Sequence, residues 1–421
     1  MKYACQLTHG FLSAGRCPWC DCPIVDGQLK PDLYPRESAF RRWNVSALMK
    51  ALDHEQGDVR VMAVSNLMLH GPKPEEALPV LRKALSNSKE DVRRMAVHTL
   101  LHQRGQQLGP DEVQKLEREV EVRPDDRALR LFLLGHYFLS HRRYDSARRA
   151  RHGHLLWIIE HAPEVTGEPH FCLDPVSDGE AYQLAKKLWL RQIEANESNV
   201  TILGNAARFF TLNDKALSEE LLKKAQLLEP NNPEWAKQLG HLYQLETHRS
   251  KGESRPEAAT QAFAELEKAF NLENDELKRF SMIPLLAKAA FEAEEFDKAR
   301  SYATNSLAKA ALRHYSDSNN GYAIHHGNLI LGRLALKSGD FQKAKEYLLN
   351  AGQISGGATL CSFGPNMMLA KDLLESGERE VVIQYLKLCA NFWHTSDHRA
   401  EKWIYAIEQG TIPNFGTNLA Y

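Results

Sequence analysis

An all-α chain of stacked helical hairpins, a repeat solenoid led by a small zinc-binding knuckle, is expected from three features. Two segments near the front match each other at a fixed offset of 33 residues. Further along, small residues recur 12 apart within a segment and 34 apart between segments. Ahead of both, residues 3–24 hold four of the seven cysteines, together with His9. A length of 421 residues exceeds what one compact core usually takes, so several units or one elongated array follow.

Composition narrows the function classes. Apolar content of 43% and charge of 25% belong to an ordinary folded protein. A net charge of −1 supplies no bulk attraction to nucleic acid or to an anionic membrane. No apolar run follows "MKYACQLTHG", and no 18-residue apolar segment occurs, so neither a signal peptide nor a membrane span is expected. Cys172, Cys361 and Cys389 are scattered like small buried hydrophobes. A reducing, cytoplasmic setting fits them.

The knuckle is assigned to residues 1–30. Cys17-Pro-Trp-Cys20 is a C-x2-C pair whose turn brings two thiolates to one point, and Cys5 with His9 makes a C-x3-H pair. Cys22 competes as the fourth ligand and would leave His9 free. A segment this short cannot bury a core, and metal ligation supplies the missing free energy. Four ligands within reach make the zinc structural rather than catalytic. The alternatives are ordinary loop cysteines, or a redox pair that lacks its βαβ context. The ligand set resembles a minimal zinc ribbon or treble-clef knuckle.

Residues 44–108 form the next unit. "LMKALDHEQGDVRVMAVSNLMLHG" (48–71) aligns with "LRKALSNSKEDVRRMAVHTLLHQRG" (81–105), so that Asp58-Val59-Arg60 recurs as Asp91-Val92-Arg93. Apolar residues fall three and four apart, giving one stripe per helix. Asp58 and Asp91 are expected to cap the second helices. This resembles the HEAT repeat family over roughly residues 46–105. The resemblance implies that Arg60 and Arg93 lie along a ladder between adjacent units.

Residues 109–398 carry the longer array. "LFLLGHYFLSHRRYDSARRA" pairs Gly135 with Ala147, and "WAKQLGHLYQLE" brings Gly240, 34 residues after Ala206. Ala287 with Ala299, Gly332 with Ala344, and Ala370 with Val382 extend the series. The L-G-x-x-Y, A-x-x-x-F and closing-proline layout resembles the tetratricopeptide family over roughly residues 128–395. That resemblance implies a groove lined by first helices and function through recognition of a partner peptide or helix, with Asn205, Arg208 and His241 as partner-binding residues. The Lys and Asn of the family's carboxylate clamp are replaced by Leu203 and Ala207 in one unit, and by Phe132 and His136 in another.

The remaining features are weighed individually. Arg142, Arg143, Arg148, Arg149 and Arg151 form a basic run, and with the knuckle they supply the alternative of a nucleic-acid-associated regulator. A solvated helix face is the ordinary reading of that run. His325-His326, and His394 with His398, read as surface histidines rather than metal ligands. "GGATLCSFGPNMM" (356–368) reads as an inter-repeat loop rather than a phosphate cradle. Residues 399–421 are expected to be a capping helix and tail. No motif for catalysis is present, so a non-enzymatic interaction or scaffolding protein is the expectation, and an unrecognised enzyme is the remaining alternative.

Overall fold

The computed structural model describes residues 14–16, 23–25, 28–29, 49, 52–55, 60, 63–64, 74–104, 108–141, 144–167, 169–249, 254–312, 318–354, 356–393 and 398–419. The chain divides into two compact units, Met1–Asn213 and Asp214–Tyr421.

The first unit opens with a small antiparallel sheet that the hairpin reading did not contain. Strands β1 (Ala14–Arg16), β2 (Pro23–Val25) and β3 (Gln28–Leu29) lie in that order. Arg16 pairs with Pro23, and Val25 pairs with Gln28 across the sequence Asp26-Gly27. An Asp-Gly dipeptide between short apolar runs is the strongest local hairpin signal, because both turn positions need positive φ.

Helices follow. Of the first HEAT-like hairpin, Leu52, Ala63 and Val64 are described as fully buried. The second comprises α1 (Pro74–Leu85) and α2 (Glu90–His98), which runs on into a π-helical turn, Thr99–Arg104. Because α2 begins at Glu90, Asp91 is its second residue and not its cap. Arg93 is also not a ladder residue. Its Nη1 donates to the carbonyls of Asn87 and Ser88, in the bend before its own helix. Arg60 does the same to His54 and Glu55, so the 33-residue repeat preserves a turn clamp. Lys83 and Asn87 make the links between hairpins, donating to the Met49 and Leu52 carbonyls.

Next come α3 (Pro110–Val122), α4 (Arg127–Ser140), α5 (Asp145–His161), α6 (Gly179–Ala195) and α7 (Val200–Phe210). Asp126 caps α4 by accepting from the Ala128 and Leu129 amides, and it also takes the Arg82 guanidinium of α1. Gly135, which the spacing paired with Ala147, lies tight against the π-helical turn. A Cβ there would stand 2.3 Å from the Leu101 carbonyl oxygen, so the glycine lets α4 cross the π-helical turn.

The second unit is regular. After α8 (Lys215–Leu228), helices pair as α9 (Pro233–Arg249) with α10 (Ser254–Leu272), and α11 (Glu276–Glu292) with α12 (Phe296–Ala311). Then α13 (Ser318–Lys337) pairs with α14 (Phe341–Gly352) and, after the short α15 (Ala358–Phe363), α16 (Met368–Glu375) pairs with α17 (Arg379–Cys389). The small residues that predicted these crossings are buried: Ala287, Ala299, Ala344, Ala370 and Val382 are each 0% exposed. A Cβ on Gly240 would meet Leu266 of α10 at 2.6 Å.

Three of the hairpins share one turn. Glu294, Gly339 and Gly377 sit at φ of 60°, 81° and 89°, each two residues before the second helix. The next amide in each case donates five residues back, as from Glu295 to the Ala290 carbonyl. α18 (Arg399–Glu408) and the tail follow. Trp403 meets Trp393 and Phe415, and Asn418 donates to the Phe363 and Pro365 carbonyls while accepting from the Met367 amide.

Candidate partner-binding site

The zinc ligands expected from sequence, Cys5, His9, Cys17, Cys20 and Cys22, lie outside the described residues, as do Arg142, Arg143 and His394. Among the described residues, no group of three or more His, Cys, Asp or Glu side chains is arranged to hold a metal ion.

In the first unit the basic run divides. Arg151 is buried, at 2% exposure, and its Nη2 donates to the His170 and Cys172 carbonyls. It is therefore a core residue that ties the 163–178 loop to α5, not part of a solvated face. His152 beside it meets Asp178 at 2.8 Å, and His154 meets Glu117 at 3.2 Å. Burial alone would raise the carboxyl pKa values, but hydrogen bonds hold both low. The Asp174 amide and His152 act on Asp178, and His154 and Tyr137 act on Glu117. Arg148 pairs with Asp145 on its own helix. The 18 histidines thus include several interior ones, and the His102 ring lies 4.4 Å from a tilted His98 ring and 4.3 Å from His170, which it meets edge to face.

Asn205 and Arg208 both lie on α7, with different roles. Asn205 Nδ2 donates to the Pro163 and Glu164 carbonyls at 2.9 and 3.1 Å, so its amide fastens the same loop. Arg208 is exposed.

In the second unit His241 is half-buried on α9, with Nδ1 3.3 Å from Gln244 Oε1. His241, Leu245 and His248 are spaced to share one face of that helix. His248 Nε2 lies 3.4 Å from Lys288 Nζ and 3.9 Å from Glu292 Oε1, both on α11. Burial pushes the Lys288 ammonium pKa down, with Arg333 acting the same way and Glu292 against it. Burial also lowers His248, and Lys288 adds to that. These converging groups were not found by sequence reasoning. Only their helical spacing, without an established register between helices, was legible.

His325 and His326 are not surface residues. His325 is 0% exposed, with Nδ1 2.9 Å from the Ala351 carbonyl and Nε2 accepting from the Asn366 amide at 3.1 Å. A carbonyl on one side and an N–H on the other fix a neutral ring protonated at Nδ1. Burial accordingly lowers its pKa to about 4. The glycine-rich 356–368 stretch is a packing element. Gly356 adopts φ of 85°, and a Cβ on Gly321 would stand 1.9 Å from its carbonyl oxygen.

HEAT repeats match residues 45–131 as a family. No curated protein matches the chain. Among solved structures, the human IFIT1 dimer with m7Gppp-AAAA is similar at 16% identity and a TM-score of 0.43, covering 87% of this chain and 85% of that one. The human IFIT1 dimer with PPP-AAAA is similar at 16% identity and a TM-score of 0.41, covering 87% and 86%. No helix among the described residues is long and apolar enough to cross a membrane.

Proposed function

We propose that this helical repeat protein is an interaction or scaffolding module whose first helices capture a partner peptide or helix. The observation that carries this reading is the α9–α11 face of the second unit, where half-exposed apolar side chains lead to converging polar groups. Recognition is the usual task of stacked helical hairpins, and that step is an argument from fold. The reading assigns no catalysis.

The test is affinity purification from the native host with wild type, Arg208→Glu and His241→Ala. A partner lost with either variant, while helical content is kept, supports capture by these faces. Retention by both overturns it. Asn205→Ala is set aside because its amide holds the 163–178 loop. The nucleic-acid alternative is disfavoured by Arg151, which is spent inside the fold. A gel shift that weakens steeply with salt would restore that alternative.

We also propose a structural zinc ion at the N-terminus, with Cys17 and Cys20 and two of Cys5, His9 and Cys22 as ligands. The donor set suits zinc. The pairing of Arg16 with Pro23 supports it, since the sequence between those two residues contains Cys17, Cys20 and Cys22. Metal analysis of the purified protein against Cys17→Ser and Cys20→Ser decides the matter, and zinc retained by both variants defeats it. A reducing, cytoplasmic location is part of the same reading, supported by the free thiols of Cys172, Cys361 and Cys389.

A further inference from the structure

The segment that follows α18 sits on the second unit as a bound peptide would. Of residues 411–419, only Phe415 and Asn418 are buried, at 2% and 1% exposure, and they stand three apart in Phe415-Gly416-Thr417-Asn418. The Asn418 amide donates to the Phe415 carbonyl at 3.1 Å, so the four residues close into one turn. Gly416 takes φ of 54° within it, an angle that a side chain with a Cβ resists. The Phe415 ring meets Trp403 edge to face at 5.0 Å, and Trp403 lies 5.5 Å from Trp393. Asn418 Nδ2 donates to the Phe363 and Pro365 carbonyls at 3.1 and 2.9 Å, and its backbone carbonyl accepts from the Met367 amide at 2.8 Å. The receiving backbone is fixed by bonds that do not involve the tail. The Asn366 amide donates to His325 Nε2, its carbonyl accepts from the Tyr385 hydroxyl, and its Oδ1 accepts from the Met368 amide.

We propose that the 363–367 segment, with Trp393 and Trp403, is a docking site for a linear Phe-Gly-x-Asn motif, filled in cis by the chain's own tail and taken by a partner protein's segment of the same chemistry that displaces it. The tail is the cover of the site, and it lies at the surface. Thr411, Ile412, Asn414, Gly416 and Thr417 are exposed, so beyond the Thr411 bond to the Ala406 carbonyl two buried anchors hold it. Its departure strips bonds from two carbonyls and one amide and uncovers the Trp403 ring. The replacement must therefore bring an aromatic ring, a side-chain N–H2 for the carbonyls and a backbone carbonyl for the Met367 amide. A carboxylate in place of the Asn amide cannot donate, so acidic residues are rejected there. Attachment in cis keeps the tail at an effective concentration on the order of millimolar, which shuts out weak competitors. The inference is independent of the α9–α11 face and adds a second site in the same unit.

The test follows a fluorescein-labelled peptide of residues 411–419 by anisotropy as it binds the wild-type chain, the Asn418→Ala chain and a chain ending at Gly410. The expected result is binding to both variants about tenfold or more tighter than to wild type, whose own tail competes. On the shortened chain, peptides carrying Phe415→Ala or Asn418→Ala should bind about tenfold or more weaker than the unaltered peptide. Where one variant fails to fold, the other carries the comparison. Equal affinity, within twofold, for wild type and variants places the peptide elsewhere and overturns the site. Equal affinity of the altered and unaltered peptides overturns the motif. No binding to a variant that keeps wild-type helical content overturns the docking assignment. Loss of cooperative unfolding in both variants makes the tail part of the core and overturns its displacement.

Discussion

The two units solve the same packing problem by different means. From Asp214 onward, small residues at helix crossings and a turn shared by three hairpins set the regular part, and side chains that hold irregular backbone, His325 and Asn418, gather around the short α15 and the tail. The first unit, by contrast, changes helix type at Thr99–Arg104 and crosses a long loop. It holds that loop with side chains, through Arg151, Asn205 and the His152–Asp178 pair. Where the period is kept, short-range rules and apolar contacts position the backbone. Where it lapses, polar side chains must satisfy carbonyls that no regular element pairs.

Removing the first unit's central tether breaks the comparison most directly. Arg151→Met should destabilise the protein by about 3–5 kcal/mol, because Asp178 and two loop carbonyls lose a buried charged partner. Chemical denaturation measures the loss, and limited proteolysis should show early cleavage in the 163–178 loop. A loss no larger than that of an exposed control such as Arg149→Met would mean the loop is held by something else.

Acid challenges the second unit through His325. Its folded pKa of about 4 lies below the ordinary value of about 6.5 that the unfolded chain recovers. Between those pH values the unfolded state binds more protons, so stability is complete above about 6.5 and declines as pH falls toward 4. The decline should be on the order of 3 kcal/mol, read from denaturation midpoints across that range. His325→Gln, which cannot take the proton, should flatten the slope. An unchanged slope would assign the titration to other groups.

Gly240→Val probes the regular crossings. The added side chain drives into Leu266, and overpacking of that kind costs about 2 kcal/mol, measured as a lower melting temperature. The smallest effect has the opposite sign. Glu294 is the non-glycine member of the three matching turns at φ of 60°, so Glu294→Gly should stabilise the second unit by about 1 kcal/mol. Destabilisation by that change would show that the Glu294 side chain contributes more than its backbone conformation costs.

Particular residues show how much was legible in advance. The matches of Ala287 with Ala299 and Gly332 with Ala344 were readable because a crossing needs small side chains at fixed spacing. The turn at Gly339 and Gly377 could have been read as well, had the glycine two residues before each second helix been compared across units. Arg60 and Arg93 repeated faithfully, but the repeat gave no direction for their side chains, and the inferred ladder was a turn clamp instead. Arg151, His325 and His326 were read as surface residues because a charged or titratable side chain usually stays in water. In the candidate site, His241 was singled out, whereas Lys288, Glu292 and His248 were not.

Taken alone, the order of residues determined that this chain would form paired helices, where their apolar stripes lie, and which spots must be small. Those properties depend on neighbours three or four positions away, or on one repeat length. Tertiary structure alone decided which polar groups meet. Arg151 reaches carbonyls 19 and 21 residues on, and Lys288 reaches a histidine 40 residues back. Such meetings depend on how helices cross and slide, and the free energy that sets them is spread over many apolar contacts rather than written in any short stretch.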